Sequence, residues 1–148
     1  MADPVILLVE DNPADVKLTK RALEKAGLRV SLDVVEDGVE ALEYLLGSEH
    51  RPSRPLPSIV LLDLNLPRIN GHQVLERLRA HPSTRRLPVV VLTSSIEESD
   101  VAKSYDQGVN SYVRKPVDFD SFVEAARYLG VYWLDLNHPP PLSRVAAQ

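Results

Sequence analysis

IVLLDLNLPRING, residues 59–71, is the stretch of sequence that decides the fold. Its first four residues are all apolar, which is typical of a short strand covered on both faces in a parallel sheet. The run stops at an aspartate, Asp63. Gly71 opens the following amphipathic helix, whose inward side chains are predicted to be Val74, Leu75 and Leu78. We therefore predict a central strand that ends in a carboxylate and is followed by a loop and a helix.

The same alternation extends to both sides of this stretch. Strand-length runs are predicted at residues 5–9, 30–35, 59–62, 88–92 and 111–114. Helices are predicted after them, at residues 13–26, at 39–46, from Gly71, at 94–107 and at 118–129. Strands this close to their helices must run parallel, joined by right-handed crossovers. The predicted fold class is therefore α/β, a doubly wound five-stranded parallel sheet with five helices on its two faces.

Composition excludes several classes of protein. The chain has 148 residues, which suits one domain, and 44% of them are hydrophobic, enough for a core. A net charge of -4 argues against nucleic acid as a partner, and the absence of cysteine excludes disulfides and thiolate chemistry. The N-terminal residues lack the basic segment of a signal peptide, and no apolar run approaches the roughly 20 residues of a membrane span. We expect a cytoplasmic protein with no membrane partner.

Chemistry is expected where the strands end, because the carboxyl ends of parallel strands border one crevice. The residues at these ends are Glu10 and Asp11, Asp63, Thr93, and Lys115. Each alone has an ordinary explanation, such as a favourable charge near a helix N-terminus or a solvated lysine. Together they place three carboxylates in one crevice, where the negative charges repel unless a cation is present. Carboxylate oxygens suit Mg²⁺, which keeps some of its waters.

Four motifs in order carry a family resemblance. They are VILLVEDNP, IVLLDLNLPRINGHQVL, VVVLTSS and NSYVRKP, which contain the strand-end residues named above and Tyr112. From about Val5 to Leu129 the chain resembles the receiver domain of two-component response regulators. That resemblance implies the flavodoxin-like receiver fold, with strand order 2-1-3-4-5. It also implies a receiver domain over residues 1–130 and a C-terminal extension over 131–148 without an output domain.

The resemblance further implies a function and a metal site. Asp63 is the expected phospho-acceptor, forming a 4-aspartylphosphate with a phosphoryl group from a sensor histidine kinase. Mg²⁺ is the implied cofactor. Its implied protein ligands are Asp11, Asp63 and the backbone carbonyl of Asn65, with Glu10 acting through water. Lys115 is implied to neutralise charge on the phosphoryl oxygens.

The family's conformational switch has matching residues as well. Thr93 corresponds to the hydroxyl that contacts the phosphoryl group, and Tyr112 to the aromatic residue that responds. A cis Lys115–Pro116 peptide is also implied by the resemblance, whereas the sequence alone favours trans, because only about 5% of X–Pro bonds in folded proteins are cis. Asn65 and Ser95 match variable positions that, in the family, tune the lifetime of the phosphoryl group.

The C-terminal residues narrow the resemblance. The proline-containing loop at residues 51–58, VVVLTSS and the VYWLDL tail resemble response regulators paired with bacterial phytochrome kinases. This implies a phytochrome partner and a homodimer through helix 4, strand 5 and helix 5. The candidate interface residues are Tyr105, Val109, Tyr112, Val123, Tyr128 and Trp133. The tail is either a partner surface or an extension that folds onto its own domain.

Other functions remain as alternatives. A phosphotransfer intermediate cannot be separated from a switch by sequence. An aspartyl-phosphate phosphatase fits less well, because the position two residues after Asp63 holds Asn65 where such an enzyme has a second acid. A constitutive adaptor with a vestigial site is disfavoured by the intact acidic set. We expect no enzymatic activity beyond the chain's own phosphorylation and dephosphorylation. The four histidines show no metal-ligand spacing, and all four are expected on the surface.

Overall fold

The computed structural model describes residues 3–47 and 54–142. Five parallel strands form one sheet in the order β2-β1-β3-β4-β5, which confirms the predicted topology. The strands are β1 Val5–Val9, β2 Ser31–Val35, β3 Ile59–Leu62, β4 Val89–Thr93 and β5 Ser111–Arg114. The helices are α1 Pro13–Lys25, α2 Gly38–Leu46, α3 Gly71–Ala80, α4 Glu98–Asp106 and α5 Phe119–Gly130.

Two cores cover the two faces of the sheet. Although the central strands are wholly apolar, successive side chains point to opposite faces. Leu7, Val9, Val60 and Leu62 belong to the cluster beneath α2 and α3. Ile6, Leu8, Ile59 and Leu61 belong to the cluster beneath α1 and α5. Helices on both faces leave the carboxyl ends of the strands as the open edge.

Local capping sets where the helices at this edge begin. The side chain of Asn12 accepts hydrogen bonds from the backbone amides of Ala14 and Asp15, with Pro13 at the first helical position. Asn70 forms a capping box with Gln73 at the start of α3. These caps fix where α1 and α3 begin after their loops.

The fourth helix begins later than predicted. Residues 94–107 were expected to be helical, but α4 starts at Glu98 and residues 94–97 form a loop. In this loop the Ser95 hydroxyl donates to Oδ2 of Asp100 at 2.6 Å, and its carbonyl accepts from the Tyr112 hydroxyl at 2.8 Å. The local bond to Asp100 and the tertiary contact with Tyr112 together hold the segment outside the helix. Helical spacing alone could not reveal them.

The C-terminal extension continues α5. Residues Val131–Leu136 form a π-helical segment, and partly buried Trp133 and Leu134 pack against the core beneath α1 and α5. Leu142 packs against the other core. Part of the extension therefore folds onto its own domain, while Tyr132 and Leu136 stay 51% and 70% exposed. The expectation for the loop at 51–58 falls partly outside the described residues, since residues 51–53 are not among them.

Two predicted interface residues are buried. Val109 is 7% and Val123 is 8% exposed, and each lies in one of the two cores. Val109 follows the Gly108 turn that leads into β5. Val123 lies on the inner face of α5 beside Phe122. Their placement on a surface was wrong. The face of α5 that carries Val123 depends on what the helix packs against, and Val109 lies in the turn before β5, which the fold covers.

Gly38 provides a test of how α2 packs on the loop after β3. A Cβ added at Gly38 would lie 2.0 Å from the carbonyl oxygen of Ile69. We expect Gly38→Ala to lower the free energy of unfolding in urea by about 3 kcal/mol, because backbone would have to move.

Gly27→Ala is the matched control. Gly27 has φ +79° and nothing within 4 Å of an added Cβ, so only about 1 kcal/mol of backbone strain is expected. If the two variants lost the same free energy of unfolding, a steric origin for the effect at Gly38 would be contradicted.

Candidate functional site

Side chains from four strand ends meet at the open edge of the sheet. The Thr93 hydroxyl donates to Oδ1 of Asp63 at 2.9 Å, and the Lys115 ammonium donates to Oδ2 of Asp63 at 2.9 Å. Asp63 is 6% exposed and Thr93 is fully buried. The convergence predicted from the strand ends is therefore present, with Asp63 at its centre.

Lys115 donates hydrogen bonds to three carboxylates, one of which the sequence did not indicate. Its ammonium donates to Oε1 of Glu10 at 2.5 Å and to Oδ2 of Asp15 at 2.8 Å, in addition to Asp63. Asp15 was missed, because an acid in the first turn of a helix is explained by the helix dipole alone. Burial by itself would lower the pKa of Lys115, but the hydrogen bonds that its ammonium donates to Asp15, Glu10 and Asp63 outweigh it and the pKa is raised. The lysine is a fixed positive charge in the site.

Glu10 is the most deeply placed acid. It is 2% exposed, and its Oε2 accepts from the backbone amide of Asn12 at 3.2 Å. Burial raises the pKa of Glu10 to about 7, against the lowering effect of its hydrogen bond from Lys115. A buried carboxyl with this environment is expected at a site built to receive further positive charge.

The carboxylates of Glu10, Asp11 and Asp63 form a group able to hold a metal ion. One oxygen from each lies within 4.8 Å of the others, and Asp11 is exposed at the rim. The set consists of hard oxygen donors, as Mg²⁺ and Mn²⁺ prefer. Asn65 lies beside it, with its backbone amide donating to Oδ1 of Asp63 at 3.1 Å. The residues present therefore fit a divalent cation.

The two switch candidates both face the site. Thr93 contacts Asp63 directly, and the hydroxyl of half-buried Tyr112 reaches the carbonyl of Ser95, two residues after Thr93. Burial raises the pKa of Tyr112, so its hydroxyl remains a hydrogen-bond donor. Tyr112 of β5 is thus hydrogen-bonded to the loop between β4 and α4, two residues after Thr93.

Two expectations about individual residues were wrong. The Lys115–Pro116 peptide is trans, the usual form of an X–Pro bond, and the lysine still reaches all three carboxylates. His72 is 8% exposed, because α3 turns it toward α4 instead of solvent. His81 is part-buried and His138 is exposed, while His50 lies outside the described residues.

Comparison with known proteins decides the family. Residues 6–127 match the family model of the response regulator receiver domain. The chain belongs to the response regulator receiver family. This receiver is 42% identical over 139 residues to a probable methanogenesis regulatory protein, FilR2, of Methanothrix harundinacea, covering 93% of the chain and 89% of that relative. It is 37% identical over 131 residues to response regulator Rcp1 of Synechocystis sp., covering 88% of this chain and 89% of that relative.

Solved structures agree with this assignment. The phosphorylated cyanobacterial phytochrome response regulator RcpA superposes with a TM-score of 0.87 at 36% identity, covering 95% of this receiver and all of that chain. The Mn²⁺-bound form of Rcp1 gives a TM-score of 0.84 at 36% identity, covering 93% of this receiver and 99% of that chain. No helix in the described part of this receiver combines the length and hydrophobicity of a membrane span.

Proposed function

We propose that Asp63 accepts a phosphoryl group from a sensor histidine kinase and that the resulting aspartyl phosphate switches a protein-interaction surface. The observation that carries this proposal is the Asp63 carboxylate held between the Thr93 hydroxyl and the Lys115 ammonium. An Asp63 oxygen attacks phosphorus, the bond from phosphorus to the donor histidine nitrogen breaks, and the freed ring takes the electron pair. A carboxylate acts as the nucleophile without a general base, and the Lys115 ammonium lies 2.9 Å from its Oδ2.

A divalent cation is part of this proposal. Asp11, Asp63 and the carbonyl of Asn65 would hold Mg²⁺ directly, with Glu10 acting through water. When bound, the cation neutralises charge on the transferring phosphoryl oxygens. Lys115 already lies within hydrogen-bonding distance of Asp63, where it would contact one of those oxygens. Its three carboxylate contacts hold it in place beforehand, so little reorganisation is needed.

Thr93 and Tyr112 transmit the change. After transfer, the Thr93 hydroxyl donates to a phosphoryl oxygen in place of Asp63 Oδ1, and Tyr112 keeps the loop between β4 and α4 in place through Ser95. Phosphorylation then shifts the population of an arrangement that the unphosphorylated chain already adopts.

The kinase is proposed to be a phytochrome, acting in the cytoplasm. Support comes from relatives that cover nearly the whole chain, among them a cyanobacterial phytochrome response regulator at 36% identity. That comparison covers 95% of this chain and all of the other. Light-dependent phosphotransfer from a phytochrome kinase to this receiver would test the pairing.

A homodimer is proposed through the face formed by α4, β5 and α5. Tyr128, Tyr132 and Leu136 are 66%, 51% and 70% exposed and follow one another at intervals of four residues, so α5 and its extension carry an apolar stripe. Tyr105 on α4 is 51% exposed. Trp133 packs against the core beneath α1 and α5, and its ring centroid lies 5.0 Å from that of Tyr132 in the stripe.

The dimer has a direct test in solution. We expect the wild type to sediment as a dimer and the double variant Tyr128→Ser/Leu136→Ser to shift to monomer, because the stripe loses its two most exposed apolar side chains. Val34→Thr on the opposite edge strand is the control, since Val34 is also exposed, at 39%. A double variant that dimerises as the wild type does would exclude this face.

A role as a phosphotransfer intermediate uses the same site and differs only in the onward acceptor, a histidine-containing domain. A phosphatase is disfavoured because Asn65 offers no general acid two residues after Asp63. Incubation with Mg²⁺ and acetyl phosphate, followed by intact mass, tests the shared step. An unmodified wild-type chain would overturn the proposed function.

A further inference from the structure

His72 lies on the first turn of α3 with its ring between two residues of α4. Its Nε2 is 3.2 Å from Oδ1 of Asp100, and its Nδ1 is 3.1 Å from Oε1 of Gln107. An ionised carboxylate only accepts hydrogen bonds, so Nε2 is the donor to Asp100. With the proton on Nε2, Nδ1 accepts from Gln107 when that side-chain amide presents its NH₂ group. A buried histidine is thus the polar link between two neighbouring helices.

Asp100 carries this link into the loop before α4. Its second oxygen, Oδ2, accepts from the Ser95 hydroxyl at 2.6 Å, and the Ser95 carbonyl accepts from Tyr112 at 2.8 Å. The hydrogen bond from Ser95, followed by that from His72, lowers the pKa of Asp100. Asp100 is therefore an ionised acceptor shared by the loop and by α3.

The other end of the link returns to the acceptor. The backbone amide of Gly71, next to His72, donates to the carbonyl of Leu64 at 3.0 Å. A Cβ at Gly71 would lie 2.5 Å from the carbonyl oxygen of Asp63, so α3 starts in close contact with the acceptor's own backbone. These contacts form a closed path, a ring of contacts that begins and ends at Asp63. It runs through His72, Asp100, Ser95 and Thr93.

The packing of α4 makes this ring important. Ser104 is its one buried residue among the nine, all of which the structure describes. No side chain caps its N-terminus. With little apolar burial of its own, α4 depends on polar ties to keep its first turn and the preceding loop in position.

We propose that His72 is a positioning residue for the loop between β4 and α4. Before any phosphoryl group arrives, it holds this loop so that Thr93, at the end of β4, keeps its contact with Asp63 and Tyr112 keeps its contact with Ser95. The proposal rests on the proposed phosphorylation of Asp63 for its consequence, and on the unphosphorylated structure for its geometry. Without His72, Asp100 loses one of its two donors. The loop then has a larger share of released conformations, in which Thr93 no longer contacts Asp63.

Two substitutions separate this role from simple core filling. His72→Leu fills the space without a donor, whereas His72→Gln keeps an N–H that reaches Asp100. In the unphosphorylated protein we expect backbone amides of residues 94–97 to exchange with deuterium about tenfold faster in His72→Leu, the effect of losing one hydrogen bond to a charged group. His72→Gln is expected to exchange at close to the wild-type rate.

Phosphorylation provides the second readout. With Mg²⁺ and acetyl phosphate, His72→Leu should react up to about tenfold more slowly, because a smaller fraction of molecules has Thr93 in place, and His72→Gln should recover most of the rate. Ser95→Ala breaks the ring at the surface without touching the core, and should reproduce the His72→Leu effects even if His72→Leu folds poorly.

The outcomes distinguish the two proposals. If the wild type gains no phosphoryl group, the proposed function fails, while the exchange rates still test the ring. Loop exchange and reaction rates in His72→Leu and Ser95→Ala that match the wild type would overturn the role of His72. If His72→Leu and His72→Gln lost loop protection and phosphorylation rate to the same extent, the role of His72 would also be overturned, since a change in core filling would then explain both effects.

Discussion

Asp63→Asn is expected to abolish the phosphoryl adduct that the wild type forms with Mg²⁺ and acetyl phosphate. A carboxamide is not a nucleophile for this reaction, and it removes one oxygen from the proposed metal site. The amide also fits the site poorly. If its oxygen keeps the hydrogen bond from Thr93, its NH₂ faces the Lys115 ammonium, and two donors cannot bond each other. Intact mass before and after incubation measures the result.

Asp106→Asn is the matched control for this experiment. Asp106 is an exposed acid at the end of α4, and its substitution removes the same charge. We expect it to be modified like the wild type. An adduct that persists in Asp63→Asn, or that is lost in Asp106→Asn, would contradict Asp63 as the acceptor.

Lys115→Met is expected to have the second largest effect. The phosphorylation rate should fall by about 10²–10³-fold, the usual cost of losing one preorganised group that stabilises transition-state charge. The free energy of unfolding should also fall by about 3 kcal/mol, because Glu10, Asp15 and Asp63 lose their shared cation inside the site. Stopped-time mass analysis and urea unfolding measure the two effects.

Added Mg²⁺ gives this variant a distinctive signature. Since the cation replaces positive charge that Lys115 supplied, Mg²⁺ should stabilise Lys115→Met more than it stabilises the wild type. Lys20→Met, on an exposed lysine of α1, should change neither property. A Lys115→Met protein as stable as the wild type, with no added response to Mg²⁺, would mean that the three carboxylates do not depend on the lysine.

Much of the site could be predicted from the sequence because sheet geometry leaves little choice. A short β-branched-rich run such as VILLV or IVLL is typical of a buried strand, and parallel strands with helical crossovers bring their carboxyl ends to one edge. Asp63, Thr93 and Lys115 end three of these strands or follow them directly. Their meeting is therefore a consequence of topology, and it needs no knowledge of side-chain packing.

Residues on helices and loops were predicted less well, because their positions depend on rotation and on contacts distant in sequence. Asp15 reaches Lys115, 100 residues away, only because α1 leaves its cap at a particular angle. His72 was placed on the surface and Val109 in an interface, yet packing against α4 and the core buries both. The late start of α4 has the same origin, in the contacts of Ser95 with Asp100 and Tyr112.

The sequence by itself thus determined the parallel α/β sheet and the acidic edge where Asp63 lies, since alternating apolar runs and short crossovers bring the strand ends together. The strand order 2-1-3-4-5 and the role proposed for Asp63 came from the family resemblance. Tertiary structure decided which side chains surround the acceptor from outside the sheet. It added Asp15 to the lysine's partners, turned His72 into a buried link and divided the extension after α5 between core and surface. The physical reason is that periodicity specifies faces, whereas burial depends on what packs against them.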